Sequence, residues 1–147
     1  MIDATPNLRA VIPGIAVNAA VSRYADEGVA IVAQLLSAGQ LGRSVVFALS
    51  TNGTFPSSTF AQLAQMTQGR HLVVVTAHCG HCSWVPTNNA MIRANCNAAT
   101  HCTVADWYAL AQANLGWFGD APDGVHMPIG GVGGQAYAVM VRQALAA

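Results

Sequence analysis

Apolar residues along the chain fall into two kinds of stretch: short continuous runs, and longer segments in which they recur at helical spacing. Ser44–Leu49 and His71–Ala77 are continuous apolar runs, the mark of strands buried on both faces. Ile15–Val21, after a Pro13-Gly14 turn, and Cys102–Ala105 are predicted as further strands. Asp26 and Glu27 open a helix whose Val29, Ile31, Val32, Leu35 and Leu36 lie on one face, and Gly39 ends it. Ser57 or Ser58 is expected to cap a helix from about Thr59 to Thr67, with Phe60, Leu63, Ala64 and Met66 inward. Pro86 precedes a predicted helix from about Thr87 to Ala98. A further helical stretch follows Asp106-Trp107-Tyr108. The last helix spans about Gly133–Leu145, with Tyr137, Val139, Met140 and Val141 as core candidates.

Strands alternating with helices predict one α/β domain over residues 1–147: a parallel sheet flanked by helices in three layers. In such sheets function gathers in the loops beyond the carboxyl ends of the strands. The segment after Val21, the Asn52 loop and the Cys79 loop all leave strands there, and the Asp123–His126 stretch can reach the same edge.

Composition narrows the partners. The chain has 147 residues, no lysine, six arginines, six acids and zero net charge. That balance gives no electrostatic reason to expect nucleic acid or an anionic membrane. No apolar run approaches the roughly 20 residues needed to cross a bilayer. Four cysteines, Cys79, Cys82, Cys96 and Cys102, cluster as in a disulfide-bearing extracytoplasmic domain. Three connectivities are open, of which the local pairing Cys79–Cys82 and Cys96–Cys102 is preferred.

The candidate chemistry lies in Asp123-Gly124-Val125-His126, set between Pro122 and a Pro-Ile-Gly-Gly turn. A carboxylate three residues from an imidazole can orient it as a general base. Asn52, directly after a buried strand and followed by Gly53, is a candidate donor to a developing oxyanion. Such a donor contributes about 3 kcal/mol. The backbone N–H of Ser22, in Val21-Ser22-Arg23, can point into the same site.

Together, Ser-Thr-Asn-Gly after one strand, Asp-Trp-Tyr after a later one, and Asp-Gly-Val-His before a Gly-rich turn resemble the SGNH-type hydrolases. The likeness is to the C-terminal domain appended to membrane-bound bacterial acyltransferases that modify cell-surface sugars, and it runs from Ile12 to Leu145. The resemblance implies an SGNH (flavodoxin-like) fold that forms an acyl-serine intermediate without a cofactor. It implies His126 as base, Asp123 as its orienting acid, and Asn52 and the Ser22 amide as oxyanion donors. The implied substrate is acylated carbohydrate or a small acyl ester, outside the cytoplasm, in a domain attached to a membrane acyltransferase.

The family's nucleophile sits in a Gly-Asp-Ser motif ending the first strand, and no Gly-Asp-Ser occurs in these residues. That strand is expected immediately before Met1, so the 147 residues are expected to be an N-terminally truncated, inactive form. Ser50 is a poor substitute, because it stands where the family usually has glycine.

Other readings have their own cues. The first alternative is a non-catalytic accessory or binding domain. Cys79-Gly80-His81-Cys82 has the C-x-x-C spacing of a redox pair, though Ser83 to Pro86 separate it from the next helix. His78, His81 and His101 beside the cysteines offer a zinc set, without a second tight pair. Gly130–Gly134 before a helix invites a phosphate loop but fits neither the Walker nor the dinucleotide pattern. Trp117 and Phe118 are candidates to line an acyl or sugar pocket.

Overall fold

The computed structural model describes residues 2–119, 121 and 123–147. Met1, Asp120 and Pro122, at the chain start and beside the Asp123 stretch, lie outside the described residues. Among the described residues, three strands form the sheet: β1 (Ser44–Phe47), β2 (His71–Val75) and β3 (Cys102–Ala105), in the order β1-β2-β3. All pairs are parallel, with Val46 opposite Val73 and Val73 opposite Thr103. The apolar runs are central because both sheet faces are covered. Leu72 and Val74 enter one core with Val45, Phe47, Phe60 and Leu63. Val73 and Val75 enter the other with Leu8, Trp107, Tyr137 and Val141.

Among the described residues, six α-helices cover those faces: α1 (Thr5–Val11), α2 (Ala25–Ser37), α3 (Ser57–Met66), α4 (Val85–Asn95), α5 (Trp107–Gln112) and α6 (Val132–Ala146). Several boundaries differ from expectation for local reasons. Helix α2 starts at Ala25, where the Glu27 carboxylate accepts from the Tyr24 amide at 2.7 Å. Pro56, rather than Ser57 or Ser58, stands at the cap of α3 without a side-chain cap bond. Helix α4 begins at Val85, because Pro86 fits the first turn, where no N–H is needed. Asp106 caps α5 by accepting from the Ala109 amide at 3.2 Å. It also takes the Thr76 hydroxyl and both ends of the Arg93 guanidinium, tying β2, α4 and α5 together. Burial works against ionisation of Asp106, but these donors outweigh it and hold its carboxyl below the usual range.

The predicted strand Ile15–Val21 does not form. Residues 15–20 are irregular and Val21-Ser22 is a turn. Among the described residues, no backbone hydrogen bond joins this segment to β1. The reason lies between them. A groove of about 870 Å³ separates the segment from β1 and is lined by Ile15, Val17, Ile31, Leu35, Val46 and Ala48. All six are half-buried. The edge of β1 is therefore open. His71 donates to the Arg43 carbonyl, and the alternation of a parallel ladder then turns Val45 and Phe47 toward β2. The backbone groups of Ser44, Val46 and Ala48 face the groove.

Candidate active site

At the carboxyl end of the sheet the Asp123–His126 stretch folds on itself. Asp123 Oδ1 accepts from the amides of Val125 (2.8 Å) and His126 (3.1 Å), and Oδ2 meets His126 Nδ1 at 2.5 Å. Gly124 makes this turn possible with φ +63°. The His126 hydrogen bond, against a small burial effect and aided by the two amides, holds the Asp123 carboxyl at about 2. The carboxylate fixes Nδ1 as the protonated nitrogen, which leaves Nε2 free to accept. The His126 side chain is 73% exposed, so that nitrogen is accessible.

Two other segments hold the loop in place. The Met127 amide donates to the Asp3 carboxylate at 3.1 Å, and the Gly130 amide to the Asp3 carbonyl at 3.4 Å. From β2, His78 and Gly80 reach the backbone of Gly124 and Asp123. Residues 2–3 thus sit beside the His126 loop, at the carboxyl edge of the sheet.

Ser22, Asn52, Val125 and His126 all line the same groove, so the structure brings the sequence-predicted site residues together. Asn52 is exposed, and its amide donates to the Arg23 carbonyl at 3.1 Å. That bond ties the loop after β1 to the turn at Ser22. Ser22 has φ +57°, an uncommon backbone region for a side-chain-bearing residue, and such outliers concentrate at functional sites. Gly53 is required by a close approach rather than by its backbone conformation. It has no positive φ; instead the Tyr24 ring lies where a Cβ would be, at 2.8 Å.

Residues that sequence reasoning missed hold these loops. Buried Asn88 accepts from the Phe55 amide at 2.8 Å and donates to the carbonyls of Ser50 and Gly53, at 2.9 and 2.7 Å. Its neighbour Asn89 bonds both the amide and the carbonyl of Ala77, each at 2.8 Å. The available signal was a pair of amides on a helix between apolar residues, where a buried polar group needs partners. Asn88→Ala is expected to cost about 3 kcal/mol in denaturant unfolding, because one amide and two carbonyls lose their partner.

Several alternatives lose their basis. Both local disulfides form, Cys79–Cys82 and Cys96–Cys102, with no free cysteine among the described residues. Cys79, His81 and Cys82 do cluster, but neither sulfur is a thiolate, so the zinc reading lacks its ligands. The C-x-x-C does not open a helix, since α4 starts only at Val85. Gly133 and Gly134 are packing positions, not a phosphate cradle. A Cβ would strike Met127 and Trp117 at the first, and Asn7 at the second. Phe118 is buried and stacks on His78, and Trp117 stacks on Trp107, so both are spent on the core. Ser50 is buried, and its hydroxyl donates to the Val75 carbonyl.

The arrangement defines a class by its fold: a three-layer α/β domain with its candidate loops at the carboxyl edge of a parallel sheet. It superposes with TM-score 0.87 on the C-terminal catalytic domain of peptidoglycan O-acetyltransferase A (OatA) of Streptococcus pneumoniae, solved with a methylsulfonyl adduct. The two are 22% identical, over 99% of this chain and 87% of that one. No family model and no curated protein matches the sequence. No helix among the described residues is long and apolar enough to cross a membrane.

Proposed function

We propose that this domain belongs to a serine esterase or O-acyltransferase acting on acyl esters of cell-surface carbohydrate. The observation that carries this reading is the Asp123–His126 pair, with Nε2 open at the end of the groove that Asn52 and Ser22 also line. In the proposed mechanism His126 Nε2 takes the proton of a serine hydroxyl as that oxygen attacks the acyl carbonyl. Asp123 keeps the imidazole in the required tautomer and stabilises the imidazolium. The Asn52 side chain and the Ser22 amide receive the oxyanion. His126 then returns the proton to the departing alcohol, leaving an acyl-serine that a sugar hydroxyl or water resolves. Apart from the serine, the groups in these steps are this chain's own, and acid–base and nucleophilic chemistry of this kind needs no cofactor.

Among the described residues, no serine hydroxyl is hydrogen-bonded to His126. We infer that the nucleophile comes from a strand preceding residue 1, and that the 147 residues alone are inactive. Two observations favour this. The open edge of β1 and the groove leave room for a parallel strand. Residues 2–3 lie beside the His126 loop, so a strand leading into them would end there. The site would act outside the cytoplasm, attached to a membrane acyltransferase, where two disulfides persist.

The test is turnover of a small chromogenic acetyl ester by the 147-residue protein and by the chain extended through its upstream reading frame. The extended chain is expected to release a burst of chromophore equal to the enzyme present, and the shorter one none. An extended chain without turnover would favour the accessory-domain reading.

A further inference from the structure

The end of β2 is built more tightly than a strand exit needs. Asn89 holds both backbone groups of Ala77, which sets the direction in which His78 leaves. His78 is buried, stacked on Phe118 at 5.1 Å between ring centres and tilted against Tyr108 at 5.8 Å. Its Nδ1 donates to the Gly124 carbonyl at 2.7 Å, since a carbonyl only accepts. The ring is so close that a Cβ on Gly124 would stand 2.9 Å from His78 Cε1. Two residues on, the Gly80 amide donates to the Asp123 carbonyl at 2.8 Å. The Cys79–Cys82 disulfide closes that turn around Gly80.

Two successive carbonyls of the Asp123–His126 loop are thus held from the β2 exit. The side chains of that loop remain free to hold each other. A disulfide spanning three residues constrains the unfolded chain less than a long-range one, so its main effect is local.

We propose that His78 and the disulfide-closed Cys79–Cys82 turn are the positioning residues of the Asp123–His126 pair, acting through the backbone of Asp123 and Gly124. The significance for catalysis rests on the proposed function; the positioning itself needs no serine. If His78 and the turn release the loop, the amides of Val125 and His126 and the His126 imidazole move off the Asp123 carboxylate. The titration of Asp123 reports that movement directly.

The experiment is a carbon-13 NMR titration of the Asp123 carboxyl in the 147-residue protein. The parent midpoint is expected at about 2. His78→Leu, which removes the donor, and the pair Cys79→Ser with Cys82→Ser are each expected to raise it toward the unperturbed 3.8. His78→Asn keeps an N–H near the Nδ1 position and should recover part of the shift. Cys96→Ser with Cys102→Ser opens the disulfide at the opposite end of the sheet and should leave the midpoint unchanged. If His78→Leu fails to fold, the Cys79/Cys82 pair and His78→Asn carry the comparison. A midpoint near 2 in all folded variants, or an equal rise in the Cys96/Cys102 control, overturns the proposal. Absence of esterase activity in every form would instead remove the proposed function and leave this result standing.

Discussion

In the upstream-extended chain, replacing His126 by alanine is expected to lower kcat for a small acetyl ester on the order of 1,000-fold or more. Without the imidazole, the serine proton loses its assigned acceptor. The Asp123 carboxylate faces His126 and the amides of Val125 and His126, not the groove. Asp123→Asn is the informative companion. It keeps the size of the side chain, but an amide donor facing Nδ1 favours the wrong tautomer, so kcat should fall with KM little changed. The pH dependence follows from the same contact. The Asp123 pKa is depressed from 3.8 to about 2, so its contribution to loop stability is fully present above about pH 4. That contribution is lost as pH falls from about 4 toward 2. Unchanged turnover in the His126 variant would remove the assigned base.

The second large effect concerns the open edge of β1. In the 147-residue protein the amides of Val46 and Ala48 should exchange with solvent far faster than those of Val73 and Val74. The latter lie on the central strand, hydrogen-bonded on both sides. When the upstream strand is present, Val46 protection is expected to rise on the order of 100-fold, because its amide gains a ladder partner. Stability should rise as well. Ile31, Leu35 and Leu49 are half-buried along the groove, and completing their burial contributes about 1 kcal/mol each. Equal exchange in both forms would mean the extension lies elsewhere.

Strands β1 and β2 were legible because they are continuous apolar runs, the mark of burial on both faces. The Asp123–His126 pair was legible because its geometry is local, set by a three-residue spacing and one glycine. What escaped was long-range. Ile15–Val21 has strand composition, but a strand needs a neighbour to pair with, and pattern alone does not reveal whether one lies beside it. The roles of His78, Asn88 and Asn89 depend on partners 12 to 46 residues away, which no spacing records. Trp117 and Phe118 look like pocket walls in sequence. In the structure they are consumed by stacking on Trp107 and His78.

Covalent labelling tests the central claim most directly: the extended chain treated with methanesulfonyl fluoride and mapped by peptide mass spectrometry. The account predicts one sulfonylated serine, upstream of residue 1, labelled only when His126 is present, and no label on the 147-residue protein. A label on Ser22 or Ser50, or labelling that survives loss of His126, would contradict it.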